Sequence, residues 1–306
     1  TDSFGASVGI YRIAKTLGKQ AHIVLNDVTA SMQPMVDMFR DNSEYEDNMI
    51  ISGTQALEMI GSNAVLVVVD VNKPSITECP DLLKHCNSIV VFDHHRQGSE
   101  VIENATLSYI EAYASSTCEM VSEILQYTSD TLRLRPEEAD CLYAGIMIDT
   151  DNFMAKAGVR TFEAVAFLRR NGADVTRVRK LFRDDAIEYK TKADAVSQAE
   201  IYRKSYAITI CRGEHVQSPT IVGAQAANEL LNIKGIKASF VLTEYNGKIY
   251  ISARSIDEAN VQVVMERMGG GGHMNVAGCQ LECDISDGIA IIKRTLDTMI
   301  EEGELS

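Results

Sequence analysis

The chain has 306 residues, 45% of them hydrophobic and 24% charged, which is comfortable for two globular domains. Its formal net charge is −14 at pH 7, and the sequence contains no basic block. This sign argues against binding to long nucleic acids, because that binding needs Lys and Arg side chains that neutralise phosphates. Binding of a small anionic substrate is still compatible with this charge if bound metal ions reverse the sign locally.

The sequence also bears on membrane insertion, secretion and redox environment. No apolar run approaches the ~20 residues needed to cross a bilayer. We expect no signal peptide, because the first residues lack a basic leader. Seven scattered cysteines without a Cys-x-x-Cys motif favour a reducing cytoplasm and argue against a zinc ribbon.

The first half of the chain alternates strand and helix signals. In order, these are a helix at 3–17, strand His22–Leu25, a helix near 30–40, strand Ala64–Val69, a helix near 80–86 and strand Ser88–Phe92. The alternation predicts an α/β fold with a doubly wound parallel sheet. From 115 to about 203 the pattern becomes helical. Its last stretch, 185–204, is polar and free of Gly and Pro, which predicts a connecting helix.

A second, smaller α/β unit follows this helix. Its predicted elements are strands at 206–211, 238–244 and 248–253 and helices at 220–231, 260–267 and 287–302. Asn246-Gly247 predicts a hairpin turn between the last two strands. We therefore predict domains at 1–184 and 205–306, joined by the helix at 185–204.

Titratable side chains follow three apolar segments in the first domain. Two predicted neighbouring strands end in Asp70 and in Asp93-His94-His95, and an apolar helix ends in Asp149. Ligands bind at the carboxyl ends of parallel strands, so we expect these side chains to converge. Carboxylate and imidazole without thiolate favour Mn²⁺, or Mg²⁺, Fe²⁺ or Co²⁺, over structural zinc. A solvated turn or a helix cap is the alternative for each motif taken alone.

Asp2 lies ahead of the first helix and joins this set, with an N-cap as its alternative role. Several carboxylates in one cleft repel one another unless metal ions neutralise them. The set is suited to two-metal phosphoester hydrolysis.

The second domain contains a run of four glycines between Met268 and His273. Backbone N–H groups in such a run can approach an anion, and a flexible linker is the alternative. Arg254 and Ser255 end a strand about fifteen residues earlier, where an arginine can clamp a phosphate. A single short helix separates the two segments, so we expect them to face each other.

The motifs together resemble those of a known family. They are Val69-Asp70, Asp93-His94-His95 and Gly269–His273. They resemble the DHH phosphoesterase superfamily with its DHH-associated C-terminal domain, over essentially the whole chain. Three further segments are similar to the GdpP-type cyclic-di-AMP phosphodiesterases: 2–7, 113–119 and 160–163. The nano-RNase and pAp-phosphatase branch shares the two-domain layout and is the alternative.

The resemblance implies a role for each domain and each candidate residue. Residues 1–184 would form the metal-binding catalytic domain and 205–306 the substrate-binding domain. The implied metal ligands are Asp2, Asp70, His94 and Asp149, with Asp70 bridging two ions. The implied catalytic residues are Asp93, which would orient His94, and His95, which would contact the scissile phosphate or protonate the leaving 3′-oxygen. The implied substrate ligands are Arg254, Ser255, Gly270, Gly271, Gly272 and His273.

The first motif of the family, His-x-x-x-Asp-x-Asp-Ser, is represented here by Asp2 and Ser3 alone. The other His and Asp of that motif bind one of the two metals, so we expect one ion to be held well and the other poorly. We also expect the chain to be part of a longer protein. Family members carry upstream membrane helices, a PAS-like sensor and a degenerate GGDEF domain.

The expected activity is hydrolysis of cyclic-di-AMP to linear pApA with Mn²⁺ as the cofactor. The alternatives are nano-RNase or pAp-phosphatase activity on short oligonucleotides, and an inactive fragment that binds cyclic dinucleotides. The expected partner is cyclic-di-AMP or a related small dinucleotide, with no long nucleic acid, no membrane contact by this part, and a homodimer left open. We expect this part to be cytoplasmic and its bacterial parent to be anchored in the cell membrane.

Overall fold

A computed structural model describes residues 1–29, 32–40 and 42–305 and divides the chain into two compact units, Thr1–Arg183 and Asp184–Ser306. The helices of the first unit are α1 (Asp2–Thr16), α2 (Gln33–Asp37), α3 (Gly53–Met59), α4 (Leu82–His85), α5 (Thr117–Thr128), α6 (Pro136–Asp149), α7 (Val159–Arg170) and α8 (Val175–Leu181). Its strands are β1 (Ile23–Val24), β2 (Ile50–Ile51), β3 (Val65–Val69), β4 (Ser88–Asp93) and β5 (Leu107–Ile110).

The strands of the first unit pair in parallel, as the βα alternation predicts. β3, β4 and β5 are neighbours in one sheet, and β1 and β2 form a second sheet of two strands. The register sets Val69 beside Phe92. The residues that follow these two, Asp70 and Asp93, therefore lie at the same edge of the sheet.

The core of the first unit is helical. α1 packs on α5 and α6, and every residue of α6 from Glu138 to Met147 is buried. The crossing of α1 and α6 is close, because Gly5 and Gly145 stand where a Cβ atom would collide with the other elements. Arg12 of α1 and Glu138 of α6 form a bidentate salt bridge, and the glutamate is fully buried. This packing brings the first residue of α1 and the last residue of α6 together.

The second unit is a six-stranded sheet with helices on both faces. Its helices are α9 (Ala186–Ser197), α10 (Pro219–Leu230), α11 (Val261–Glu266) and α12 (Ile285–Glu301). Its strands are β6 (Glu200–Tyr202), β7 (Tyr206–Cys211), β8 (Ala238–Tyr245), β9 (Lys248–Ser255), β10 (Gly271–Gly272) and β11 (Val276–Leu281). They lie in the order β10-β11-β9-β8-β7-β6, with β7 and β8 parallel and the other pairs antiparallel.

Side chains alternate between the two faces of β9. Ile249, Ile251 and Ala253 enter the core formed with α11 and α12, whereas Arg254 points to the opposite face. The predicted hairpin between β8 and β9 is confirmed: Asn246 and Gly247 both have positive φ (50° and 73°), as a type I′ turn requires.

The predicted connecting helix differs from the structure. The helix is shorter, Ala186–Ser197, and residues 200–202 form strand β6 instead. α9 packs on α10 and β7, and Thr209 Oγ1 donates a hydrogen bond to the carbonyl of Ala195 at 2.6 Å. The helix is therefore a layer of the second unit, because its buried Ala195 packs in one core with Ala207 and Cys211 of β7.

Short strands were missed by the sequence analysis. β2, β5, β10 and β11 were not predicted, since they are brief or rich in small residues that carry no strand signal. The helix predicted near 30–40 begins on residues 30 and 31, which lie outside the described residues, and its described part forms α2.

Candidate metal centre

Four predicted ligands meet in the first unit. His94, directly after β4, places its Nε2 atom 3.2 Å from Asp149 Oδ2, 3.5 Å from Asp70 Oδ1 and 3.9 Å from Asp2 Oδ2. One set of ligand atoms, from Asp2, His94 and Asp149, lies within 4.8 Å of one another, and a second set joins Asp70, His94 and His95. The loop ends of two strands and the termini of α1 and α6 thus supply one compact centre.

The surroundings of the buried Nε2 atom of His94 indicate whether a cation fits this centre. Its Nε2 atom is inaccessible to solvent and makes no hydrogen bond with any of the residues described, although three carboxylates approach it. The Asp149 oxygen at 3.2 Å lies within reach, but not in hydrogen-bonding geometry. An imidazole nitrogen left in this state among carboxylates is what a divalent cation satisfies. The residues present therefore fit a metal ion.

Asp2 is held by the start of α5. Its Oδ2 accepts a hydrogen bond from the N–H of Thr117 at 2.7 Å, and its Oδ1 accepts from the N–H of Cys118 at 2.9 Å. These donors are among the free N–H groups that begin every helix, and they favour a negative partner. The predicted alternative, in which Asp2 caps its own helix, does not occur, since Asp2 is the first residue of α1.

Electrostatics of the centre also favour a cation. Burial, together with the charges of Asp70 and Asp149, raises the pKa of Asp2 to about 7. Burial opposes the charged form of His94, but the carboxylates of Asp149, Asp70 and Asp2 outweigh it and raise the pKa of the imidazole to about 10. Without a metal ion the centre therefore retains protons, and a divalent cation would replace them.

The sequence predicts that Asp93 orients His94, but in the structure Asp93 is bonded to His95 instead. Its Oδ1 atom accepts hydrogen bonds from His95, from Nδ1 at 2.8 Å and from the backbone N–H at 3.1 Å. The next imidazole along the chain is closer because the chain turns back over the end of β4. Since the Nδ1 atom of His95 is engaged by Asp93, we assign His95 to this carboxylate rather than to a metal ion.

Asn72, the second partner of Asp93, is not predicted from the sequence. Asn72 Nδ2 donates to Asp93 Oδ2 at 2.5 Å, and Asn72 is only 4% exposed. Burial alone would raise the pKa of Asp93, but the bonds from His95 and Asn72 outweigh it and hold the pKa below its usual value. A polar residue two positions after a ligand carboxylate was the available signal.

The two predicted substrate-binding segments are neighbours in the second unit, as expected. Arg254 of β9 stands opposite Val276 of β11, next to the glycine run. Burial lowers the pKa of Arg254, and its Nη1 donates to the carbonyl of Ala253 at 2.9 Å. Within the described ranges, no carboxylate forms a salt bridge with it. A partly buried guanidinium in this state is prepared to accept an anion.

Ser255 and Gly270 have structural partners instead. Ser255 is 5% exposed, and its hydroxyl donates to the carbonyl of Ala259 at 2.6 Å, on the face opposite Arg254. The N–H of Gly270 donates to the carbonyl of Met265 at 2.8 Å, which ends α11. Neither group is available to a ligand in this arrangement.

The other members of the glycine run differ in what their surroundings require. Gly272 has φ of +147° and a Cβ there would meet Ala277, whereas a Cβ at Gly271 would have no described heavy atom within 4 Å. His273 is exposed, although its N–H is bonded to the carbonyl of Val276. Gly271 is half-buried, whereas Gly272 and the His273 side chain are exposed.

Two family matches cover most of the chain. Residues 1–146 match the DHH family, N-terminal domain, and residues 205–301 match the DHHA1 domain. The chain belongs to the DHH family. The family is metal-dependent, which agrees with the ligand set described above.

Curated relatives extend the similarity over nearly the full sequence. The chain is 38% identical over 285 residues to "Cyclic-di-AMP phosphodiesterase PdeA" of Listeria monocytogenes, with 92% of this chain and 43% of that protein covered. It is 39% identical over 293 residues to "Cyclic-di-AMP phosphodiesterase GdpP" of Geobacillus thermodenitrificans, with coverages of 94% and 44%. The chain thus spans less than half the length of these relatives.

A solved structure shares the fold of this chain. An exopolyphosphatase-related protein from Bacteroides fragilis aligns with a TM-score of 0.79 at 20% identity, covering 97% of this chain and 88% of that one. The α/β architecture predicted from the sequence is confirmed by this likeness. Among the described residues, no helix combines the length and apolar content that a membrane span needs.

Proposed function

We propose that this protein is a metal-dependent phosphodiesterase that hydrolyses cyclic-di-AMP to linear pApA. The observation that carries the proposal is the buried, unbonded Nε2 atom of His94 among the carboxylates of Asp2, Asp70 and Asp149. Relatives named as cyclic-di-AMP phosphodiesterases, similar over more than nine-tenths of the chain, support the substrate.

Asp2, Asp70, His94 and Asp149 would hold the metal ions. Carboxylate and imidazole donors without thiolate suit Mn²⁺, which we propose as the cofactor. When bound, such ions polarise a phosphoryl oxygen and lower the pKa of a coordinated water. The four side chains themselves fix where the scissile phosphate can lie.

His95 would act on the phosphate or on the leaving oxygen. Its side chain is 59% exposed, and its Nδ1 bond to Asp93 leaves Nε2 facing outward. A ring held at one nitrogen presents the other in a fixed direction, which is what proton transfer to a leaving 3′-oxygen requires. Arg254, Gly271, Gly272 and His273 would bind the second phosphate or its nucleoside. We leave Ser255 and Gly270 out of this set because their polar groups have partners inside the domain.

Metal binding and turnover test the assignment together. We expect His94→Ala to lose Mn²⁺ binding, measured by calorimetry, and cyclic-di-AMP hydrolysis, measured by chromatography. His85→Ala is the matched control, because His85 is exposed on α4 and its ring is hydrogen-bonded, among the residues described, to the carbonyl of Asp81 alone. Equal hydrolysis by His94→Ala and the wild type would overturn the site.

Substrate preference is tested on one preparation with three compounds. Cyclic-di-AMP should be turned over with a higher kcat/KM than pApA or pAp. A strong preference for pApA would point to the nano-RNase branch instead. Tight binding of cyclic-di-AMP without hydrolysis in Mn²⁺ would point to a sensor. Sedimentation of the same preparation decides whether the protein is a homodimer.

A further inference from the structure

We propose that Asn72 is a positioning residue for His95, acting through the carboxylate of Asp93. This inference rests on the proposed function for its effect on turnover, while its geometric part stands without it. The three side chains form one chain of hydrogen bonds, from Asn72 Nδ2 to Asp93 Oδ2 at 2.5 Å, and from His95 Nδ1 to Asp93 Oδ1 at 2.8 Å.

The backbone is shaped to bring Asn72 under the end of β4. Asp70, two residues earlier, has φ of +62°, a left-handed conformation that is uncommon for a residue other than glycine. The chain therefore turns sharply after β3 and returns toward the end of β4. The carbonyl of Asn72 accepts from the N–H of Ile102 at 3.2 Å, which fixes the returning segment. Such strain persists only where surrounding contacts maintain it, and it is common near functional sites.

Burial makes the contact between Asn72 and Asp93 a strong constraint. Asn72 is 4% exposed and Asp93 is fully buried, whereas the His95 side chain that they support is 59% exposed. A buried carboxylate with both oxygens bonded cannot rotate without breaking a bond that water does not replace. The orientation of the exposed His95 ring is thus set by Asp93 and Asn72, two side chains that solvent does not reach.

The two polar atoms of the Asn72 amide differ in their contacts, and only the donor nitrogen is hydrogen-bonded among the described residues. Its Nδ2 atom bonds Asp93 and also approaches the carbonyl of His95 at 3.4 Å. Its Oδ1 atom is buried and has no hydrogen-bond partner in the part of the chain that the structure covers. A side chain present for packing alone would not keep an unbonded oxygen in a buried place, because that costs stability. The donor half of the amide is therefore what the position needs.

Without Asn72, one oxygen of Asp93 would lack a donor, and the carboxylate could turn away from His95. The Nδ1 proton of His95 would then lose its acceptor, and the ring could adopt its other tautomer. For outer partners of site residues such losses reduce activity by about 10–100-fold. We expect this loss in kcat, with KM changed less than about twofold, since Asn72 is buried and its bonds go to Asp93 and His95.

The test uses Asn72→Leu, which keeps the branched shape and removes the donor. Histidine-selective ¹⁵N spectra of the Mg²⁺-loaded protein report the tautomer directly, and the chain has only six histidines. We expect the wild type to show His95 protonated at Nδ1 and Asn72→Leu to show a shift toward the Nε2–H form. The His95 signals are assigned from their loss in His95→Gln.

A double-mutant cycle distinguishes positioning from general destabilisation. Adding Asn72→Leu to Asp93→Ala should leave the His95 spectrum as it is in Asp93→Ala alone, because Asn72 acts through that carboxylate. Ser75→Ala is the control: Ser75 also ties this loop to a neighbouring one, through Glu100, without touching Asp93. It should leave both the spectrum and kcat at wild-type values.

An unchanged His95 tautomer in Asn72→Leu would overturn the proposal, whatever the activity. If the wild type shows the Nδ1–H form and the variant does not, but neither hydrolyses cyclic-di-AMP, the positioning role stands and the proposed function fails. If Asn72→Leu does not fold, Asn72→Ala carries the same measurements, since it removes the same donor.

Discussion

The close crossing of α1 and α6 leads to a sharp prediction about Gly145. A Cβ atom at this position would lie 2.4 Å from Cys118 Sγ, 2.9 Å from Asp2 Oδ1 and 3.1 Å from Asp2 Cα. None of these atoms is the free end of a flexible side chain, because Asp2 is 3% exposed and Cys118 is fully buried. In Gly145→Ala, α1 must therefore move away from α6 or the start of α5 must shift.

Two effects should follow from this movement. Overpacking of a tight core costs about 1–3 kcal/mol of unfolding free energy, measurable by urea titration of the metal-free protein. The carboxylate of Asp2 would also be displaced from His94, so Mn²⁺ affinity measured by calorimetry should fall at least about tenfold. The second effect separates Gly145 from an ordinary core glycine.

Gly61→Ala is the matched control for both measurements. A Cβ at Gly61 would meet no described heavy atom within 4 Å, and its φ is ordinary, so stability and metal affinity should not fall. Gly145→Ala that unfolds at the same urea concentration as the wild type and binds Mn²⁺ equally well would refute this prediction.

Three further predictions concern other parts of the molecule. Arg12→Met should cost about 3–5 kcal/mol in urea unfolding because Glu138 is left charged and buried, and adding Glu138→Leu should recover much of that loss; an undiminished deficit in the double variant would contradict this. Two N–H bonds from the start of α8 hold the pKa of Asp174 below its usual 3.8, so its stabilisation is present above that pH and is lost as the pH falls through the lower folded-state value. Asp174→Ala should therefore lower the melting temperature at neutral pH and reduce the further drop in melting temperature that the wild type shows on acidification. An unchanged drop on acidification would contradict this assignment. Gly271→Ala should fold normally yet weaken cyclic-di-AMP binding, whereas Gly270→Ala should lower the melting temperature, because its Cβ would lie 2.2 Å from a backbone carbonyl oxygen. Wild-type affinity for cyclic-di-AMP in Gly271→Ala would argue against a ligand contact there.

Much of the fold follows from patterns that are local in the sequence. The βα alternation predicts parallel strands, and strand length with flanking polar residues locates the ends of β3 and β4 within a residue or two. The Asn246-Gly247 pair predicts its hairpin because few other residues adopt two successive positive φ angles. Brief strands such as β5 and β10 escape prediction, since a strand of two to four residues gains its stability from its neighbours rather than from its own composition.

The sequence by itself determined which residue types the site contains and that Asp70 lies beside the Asp93-His94-His95 motif, because adjacent parallel strands end at one edge. Only the tertiary structure decided which imidazole Asp93 holds, that Asn72 reaches it, and that Ser255 faces inward. These outcomes depend on a positive φ, on side-chain rotamers and on contacts between segments distant in sequence. Sequence patterns encode burial and periodicity, but the partner of a polar atom is chosen by the three-dimensional positions of all its neighbours at once.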